Sequence, residues 1–277
     1  MTKPIKKKIA LVINEHDERA LAAATSVRSW CAAQGIGVVE LDKDSSSRYD
    51  LLVALGGDGT ILRAVHLLEQ CETPILGIKF GRLGFLSGAP ADELIDAIEA
   101  ALNGDAAIES RAMLEVTAWS GDTELGRFTA LNEALLGRAT TAGIITTRLL
   151  INGHHVYTQR GDGLIAATAT GSTAYALSAG GPILSPSYRG MALVPLASHT
   201  LINRALVTAP EDVVRIELPE PRHADAALSI DGDSVIDETA GMTHVVLALS
   251  GRSVSLVKLN TRLFFDTLAT EFFEQKD

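Results

Sequence analysis

Short apolar runs alternate with longer amphipathic segments over the first third of the chain. Ile9 to Ile13 and Leu51 to Leu55 are continuous apolar runs, which are typical of strands buried on both faces. Between them, Glu18 to Gln34 is rich in Ala, Leu and Arg, and Gly35 follows as a residue that commonly ends a helix. The same alternation predicts further strands at 37–41 and 75–78 and further helices at 60–68 and 91–102. It indicates βαβ units and a mainly parallel sheet.

The pattern changes past about residue 108, where short segments of alternating polarity predominate at 114–119, 145–151, 213–218 and 245–249. Asn152-Gly153 and Asp231-Gly232 are strong hairpin signals. We therefore predict an α/β domain with a mainly parallel sheet over residues 1–108 and a β-rich domain over residues 109–260. The remaining segment, 261–277, includes four Phe between Phe264 and Phe273 and is predicted to dock as a helix on the first domain.

Composition excludes several functional classes. The 277 residues carry a formal net charge of −10, whereas proteins that bind nucleic acid usually present a basic face. The apolar run from Ile9 to Ile13 is too short for a signal peptide, and no segment approaches the length of a membrane span. We expect a cytoplasmic protein with no nucleic-acid or membrane partner. Neither the two Cys nor the seven His fall in a metal-ligand spacing, so no metal-binding residues are predicted.

The most informative segment is Gly56-Gly57-Asp58-Gly59-Thr60, which follows a predicted buried strand. Glycines allow a ligand to approach the backbone closely, and the N–H groups of such a turn and of the helix after it form an anion site. We assign Gly56, Gly57 and Thr60 to phosphate binding. A carboxylate beside phosphates suits phosphoryl transfer, in which it accepts the proton of the attacking hydroxyl.

A simpler interpretation of the same segment is a glycine turn in which Asp58 caps a helix. The two commonest nucleotide loops, GxxxxGK[ST] and GxGxxG, do not occur in this sequence.

Two later segments could contact a ligand. Gly161 to Pro182 is dense in glycine and small hydroxyl residues and contains Tyr175, so it can offer hydrogen bonds to a sugar or phosphate and one aromatic face. A tight turn of small residues explains that composition equally well. The pair Asn132-Glu133 could bind a vicinal diol through hydrogen bonds, although such a pair alone is usually part of a solvated loop.

Together these segments resemble the NAD kinase family over nearly the whole chain. The resemblance rests on Gly56 to Thr60, Gly81 to Leu86, Asn132-Glu133 and Asp162 to Pro182. Thr170 to Pro182 is its most specific part, because diacylglycerol and sphingosine kinases share the Gly-Gly-Asp-Gly-Thr run. The resemblance implies an active site between an α/β domain and a β-rich domain, and transfer of a phosphoryl group to the 2′-hydroxyl of the adenosine ribose of NAD.

The resemblance also implies roles for individual residues. Asp58 matches the family's proton acceptor and Gly59 contacts the substrate beside it, while Asn132 and Glu133 match the residues that hold the ribose. The other positions that match substrate-binding residues are Arg63, Arg160, Asp162, Thr173, Ala174, Tyr175, Ala176, Leu177, Ser178 and Ala197. Lys79, Gly143, Ala169 and Val235 depart from the family pattern.

The implied cofactors are a divalent cation such as Mg²⁺ and ATP as phosphoryl donor, and the implied assembly is a homodimer or homotetramer. ATP and polyphosphate both remain open as donors, as do NAD and NADH as acceptors. Two alternatives are a lipid kinase that uses the same glycine turn and a non-catalytic NADP-binding module. The intact Asp58 argues against the second, because a binder of phosphates would gain by losing that charge.

Overall fold

A computed structural model describes residues 7–41, 48–68, 72–81, 84–140, 143–199, 204–219, 226–259 and 264–273. The chain forms two compact units, one comprising Met1–Arg111 with Val254–Asp277 and the other Ala112–Ser253. The predicted fold class, an α/β N-terminal part with a mainly parallel sheet and a β-rich C-terminal part, is confirmed. The units divide after Arg111 and after Ser253, inside two long strands, whereas the sequence-based prediction places the bounds after residues 108 and 260.

The first unit is a parallel sheet covered by helices. Its strands are β1 (Lys8–Ile13), β2 (Gly37–Glu40), β3 (Leu51–Leu55), β4 (Ile75–Lys79) and β5 (Ala89–Pro90), and its helices are α1 (Glu18–Gln34), α2 (Asp58–Leu67) and α3 (Leu94–Asn103). Strand β1 pairs in parallel with β2 and β3, and β4 pairs in parallel with β3 and β5. The end of β17 (His244–Lys258) adds one more parallel strand beside β4.

Local signals explain the helix bounds. The Asp17 carboxylate accepts the backbone N–H of Arg19 at the start of α1, and Gly35 ends the helix with a left-handed φ of 69°. Helix α2 begins at Asp58, two residues before the predicted start. A 3₁₀ turn at Ala91–Glu93 precedes α3.

The second unit contains β6 (Ala107–Ser120), which begins in the first unit, and the antiparallel strands β7 (Thr123–Ala130), β8 (Glu133–Arg138), β9 (Ile145–Ile151), β10 (His154–Gly161), β11 (Gly163–Ala167), β12 (Ala192–Leu196), β13 (Leu206–Val207), β14 (Val214–Glu217), β15 (Ala226–Ile230) and β16 (Asp233–Ile236). One sheet has the order β13-β12-β11-β8-β15-β16, and β10, β9, β14 and β17 are neighbours in another. Buried aliphatic side chains of both sheets, including Leu136, Leu149 and Leu164, form the core. Both predicted hairpin turns are confirmed, with φ values of 51° at Asn152 and 49° at Asp231.

The C-terminal segment forms α5 (Phe264–Leu268) and a π-helical turn at Ala269–Phe273. The rings of Phe264 and Phe272 lie 5.7 and 5.8 Å from the ring of Phe85, so the described part of this segment packs on the first unit. The rest of the predicted docking segment, 261–263 and 274–277, lies outside the described residues. None of the described helices has both the length and the hydropathy that a bilayer-spanning segment requires.

Candidate active site

The glycine turn carries Asp58 from the end of β3 to the first position of α2. Gly57 is extended, with φ −85° and ψ −173°, and the helix begins at the next residue. The Asp58 side chain is half-buried, and its Oδ1 accepts a hydrogen bond of 3.3 Å from the Ser87 hydroxyl. A carboxylate is electrostatically favoured at a helix N-terminus. The structure therefore holds a fixed, partly accessible carboxylate at the carboxyl end of a parallel strand.

The predicted substrate contact Gly59 and the predicted phosphate-binding residue Thr60 differ in accessibility. Gly59 is exposed, whereas Thr60 is buried and donates its backbone N–H to the Gly57 carbonyl at 2.9 Å. A Cβ placed on Gly56 would lie 2.2 Å from the Thr60 hydroxyl oxygen. Thr60 thus packs inside the turn and shapes it.

The segment that begins at Gly84 lies against the Asp58 carboxylate. A Cβ on Gly84 would lie 2.5 and 2.7 Å from the two Asp58 carboxylate oxygens and 2.7 Å from Lys79 Nζ. The ammonium of Lys79, one of the departures from the family pattern, therefore flanks the same point as the carboxylate. Arg82 and Leu83, which belong to the predicted Gly81 to Leu86 motif, lie outside the described residues.

Lys258, at the end of β17, supports the same segment from inside the first unit. Its Nζ donates to the carbonyl oxygens of Phe85 at 3.2 Å and Ser87 at 2.7 Å. Burial lowers the pKa of Lys258 to about 8, although the charges of Glu109 and Asp58 oppose that shift. The residue that donates to Asp58 is thus itself held by a lysine 171 positions away.

Arg63 follows Asp58 by one helical turn, as the sequence indicates. Its guanidinium donates to the Ile13 carbonyl at 2.5 Å, at the end of β1. The side chain therefore ties α2 to the sheet at the edge where the glycine turn lies.

In the second unit, Glu133 occupies a buried position at the start of β8. The strand lies between β11 and β15, and Glu133 is opposite Ala167. The residue is 7% exposed and its Oε2 has no hydrogen-bond partner among the described residues. Burial, together with the nearby charge of Asp231, raises the pKa of Glu133 to about 7. A buried acceptor without a hydrogen-bond partner destabilises the folded protein, and such groups are frequent at ligand sites.

We predict that replacing Glu133 by Gln stabilises the protein at pH 8. A folded-state pKa of about 7 against the ordinary value of 4.5 corresponds to roughly 3 kcal/mol of destabilisation when the group is ionised. Because the folded-state pKa is the higher one, stability falls as the pH rises from about 4.5 to 7, and the loss is complete above that range. Urea unfolding should show that Glu133→Gln increases the free energy of unfolding. The increase should approach the above value at pH 8 and become smaller towards pH 5.

Replacing the exposed Glu99 by Gln gives a matched control and should leave stability nearly unchanged at both pH values. An equal gain for Glu133→Gln at pH 5 and pH 8 would contradict ionisation as the cause.

The hydroxyl-rich segment is joined directly to the Asn132-Glu133 turn. Thr168 donates its hydroxyl to the Leu131 carbonyl at 2.6 Å and its backbone N–H to the Asn132 carbonyl at 2.8 Å. A Cβ on Gly171 would lie 2.1 Å from the same Asn132 oxygen. Two segments that are well separated in the sequence therefore lie in direct contact.

Accessibility divides the predicted binding residues of this segment. The segment forms a 3₁₀ turn at Gly171–Thr173 and α4 at Tyr175–Ser178. Tyr175 is 48% exposed and Ser178 is exposed, while Thr173, Ala174 and Leu177 are partly exposed. Ala176 is fully buried and packs with Ile165 and Val194, so its side chain faces the core.

Three other predicted residues lie together at the opposite end of β8 and β11. The Arg138 guanidinium holds the Asp162 carboxylate with contacts of 2.9 and 3.3 Å. Asp162 donates its backbone N–H to the Leu196 carbonyl beside Ala197, and Arg160 is exposed nearby in the chain. Strand β8 spans six residues, about 17 Å of extended chain. The predicted substrate positions of this unit thus form two groups.

The other departures from the family pattern occupy three different environments. Ala169 is buried, Gly143 has a left-handed φ of 122°, and Val235 packs against the core of the second unit.

Sequence reasoning missed four residues that organise these groups: Ser87, Arg138, Asp231 and Lys258. Of these, Asp231 alone lies in a motif that the sequence singled out, where it was interpreted as a hairpin turn.

Comparison with known proteins identifies the family. The models of the ATP-NAD kinase N-terminal and C-terminal domains match residues 24–106 and 131–259. The NAD kinase of Caldanaerobacter subterraneus subsp. tengcongensis is 35% identical over 97% of this chain and 100% of its own length. The chain belongs to the NAD kinase family. The NAD kinase of Thiobacillus denitrificans is also similar, with 37% identity over 81% of this chain and 77% of the relative.

Solved structures agree with this membership. An NAD kinase from Archaeoglobus fulgidus in complex with ATP has a TM-score of 0.75 at 25% identity, covering 96% of this chain and 99% of that chain. Yeast NADH kinase complexed with NADH has a TM-score of 0.87 at 23% identity, covering 98% of this chain and 89% of that chain, which is a likeness of fold. The predicted family and enzyme class are confirmed, because NAD kinases are phosphotransferases, and the lipid kinase alternative is set aside.

Proposed function

We propose that this NAD kinase family member transfers a phosphoryl group from ATP to the 2′-hydroxyl of the adenosine ribose of NAD, giving NADP and ADP. The observation that carries the proposal is the half-buried Asp58 carboxylate, fixed at the N-terminus of α2 in a chain that matches NAD kinases along its length. The Archaeoglobus relative in complex with ATP supports ATP as donor. The yeast relative in complex with NADH supports a dinucleotide acceptor by analogy of fold.

Asp58 is the proposed proton acceptor. A ribose hydroxyl is a weak nucleophile, so a positioned carboxylate accelerates its attack. The 2′-oxygen forms a bond to the γ-phosphorus, the bond from that phosphorus to the bridging oxygen of ADP breaks, and the hydroxyl proton passes to Asp58. Gly59 is exposed beside Asp58, and the Lys79 ammonium offers positive charge to an incoming phosphate. The Arg63 guanidinium is suited to the same task.

The second unit supplies the proposed ribose and base contacts. The buried Glu133 carboxylate has an unpartnered oxygen that can accept ribose hydroxyls, and Asn132 lies next to it. The exposed ring of Tyr175 offers a stacking surface. Thr173, Ala174, Leu177 and Ser178 complete this group, while Arg160, Asp162 and Ala197 contribute a second group of dinucleotide contacts.

A divalent cation such as Mg²⁺ fits this site if it arrives with the donor. Among the described residues no group of three or more His, Cys, Asp or Glu side chains is arranged to hold a metal. Mg²⁺ is commonly held by one or two carboxylates together with substrate phosphates, and Asp58 can supply the carboxylate. When bound, the cation neutralises charge on the donor phosphates.

A coupled assay tests the proposal. Purified protein is incubated with NAD, MgCl₂ and ATP, and NADP is measured with an NADP-specific dehydrogenase. Parallel reactions replace ATP by polyphosphate or other nucleoside triphosphates, and NAD by NADH, to determine donor and acceptor preference. NADP formation that requires both donor and Mg²⁺ is expected. The absence of NADP with every donor would overturn the proposal.

We also propose that the protein acts as a homodimer or homotetramer in the cytoplasm, as the family resemblance implies. Size-exclusion chromatography with light scattering tests the assembly, and cell fractionation tests the location.

A further inference from the structure

We propose that Asp231 is a positioning residue for substrate binding: its carboxylate fixes the backbone of the Asn132-Glu133 turn, which is proposed to receive the ribose. The inference rests on the proposed role of Glu133 in ribose binding. It assigns to the Asp231-Gly232 turn a task beyond closing a hairpin.

The first support is a set of hydrogen bonds that cross the sheet. The Asp231 carboxylate accepts the backbone N–H groups of Leu131 at 2.8 Å, Asn132 at 2.7 Å and Glu133 at 3.0 Å. In return, the Asp231 N–H donates to the Glu133 carbonyl at 2.9 Å. Four bonds thus hold the backbone of the turn from a residue about 100 positions away in the sequence.

The backbone of Asp231 is shaped for this contact. Its φ of 49° is left-handed, a conformation that few residues other than Gly, Asn and Asp adopt readily. It follows β15 directly, and β15 pairs with β8, so the left-handed turn presents the carboxylate at the first residues of β8. Aspartate combines the required φ with two acceptor oxygens at this position.

The second support is electrostatic. The negative charge of Asp231 lies close enough to add to the effect of burial and raise the pKa of Glu133. Ala167 of β11, which is opposite Glu133, carries no charge. Among the described residues, Asp231 is the charged group that acts on Glu133. A more basic carboxylate is a stronger acceptor for ribose hydroxyls.

Asp231→Asn tests the role of Asp231 in a protein that is expected to fold. The amide oxygen can still accept backbone N–H groups, while the negative charge is lost. We expect KM for NAD to rise about ten- to a hundredfold with a smaller change in kcat. We also expect KM to depend on pH with a midpoint that moves below the value for the unaltered protein, since removal of a negative charge favours the ionised form of Glu133. The measurement is KM and kcat for NAD between pH 5.5 and 8.5, at saturating ATP and Mg²⁺.

Asp122→Asn, an exposed aspartate in the turn between β6 and β7 of the same unit, is the matched control. Glu133→Gln should raise KM and abolish the same pH dependence, and if it leaves both unchanged, the ribose role of Glu133 fails and the inference with it. If Glu133→Gln has its expected effect while Asp231→Asn behaves like Asp122→Asn, the inference is overturned and the proposed function stands.

Discussion

Replacing Asp58 by Asn is expected to lower kcat by about 10²- to 10⁴-fold, the usual range for loss of a general base. The amide has the shape of the carboxylate and keeps an oxygen that can accept the Ser87 hydroxyl, which lies 3.3 Å from Oδ1. It cannot take a proton from the ribose hydroxyl. Steady-state kinetics in the coupled assay give kcat, and calorimetric titration gives the Kd for NAD, which should change little.

The control for this variant is Asp96→Asn, an exposed aspartate in the first turn of α3 of the same unit. This substitution removes one negative charge at a helix N-terminus far along the chain from the glycine turn. It should therefore leave kcat and the Kd for NAD near those of the unaltered protein. Unchanged turnover in Asp58→Asn would show that Asp58 is not the base.

Elements bounded by local chemistry could be predicted from the sequence. Helix α1 has the predicted bounds Glu18–Gln34, because Asp17 caps its start and Gly35 ends it. Strands β6 and β17 span 14 and 15 residues, much longer than the predicted 114–119 and 245–249. Their lengths depend on neighbours such as β14 and β4, which pair with different parts of β17, and no local pattern specifies such partners.

In the candidate site, too, local motifs could be predicted from the sequence and long-range contacts could not. Asp58 and Asn132-Glu133 belong to short motifs, so their chemistry could be proposed from residue type and spacing. The residues that hold them could not be identified, because the contacts of Lys258 with Ser87 and of Asp231 with Asn132 join positions 171 and 99 apart. Arg138 also has no motif of its own, and its role follows only from the register that places it beside Asp162.

The buried groups of the site indicate a conflict between stability and binding. Glu133 is kept in the interior with an unpartnered oxygen, and a neighbouring negative charge raises its pKa further. The folded protein should be more stable with an apolar or neutral residue at this position. Ligand binding is therefore the best explanation for the carboxylate. This is why Glu133→Gln is expected to gain stability and lose affinity for NAD.

Replacing Gly171 by Ala is expected to lower kcat/KM for NAD about a hundredfold or more, because a displacement of about 1 Å at a binding group can have that effect. The added Cβ would lie 2.1 Å from the Asn132 carbonyl oxygen, 2.5 Å from its carbonyl carbon and 2.7 Å from its Cα. All three are backbone atoms, so no side-chain rotation relieves the clash. Either the Gly171–Thr173 turn or the Asn132-Glu133 turn must move, and each carries proposed substrate contacts. The measurement is kcat/KM in the coupled assay, with urea unfolding to follow stability.

Gly251→Ala is the matched control, since a Cβ on Gly251 meets nothing within 4 Å in the same unit. It should keep nearly full activity, which separates the effect of the clash from the general effect of adding a methyl group. Gly171 does not adopt a left-handed φ, so the penalty at this position comes from space and not from backbone conformation. Full activity in Gly171→Ala would mean that the hydroxyl-rich segment and the Asn132-Glu133 turn can separate without loss, and that they do not act as one binding site.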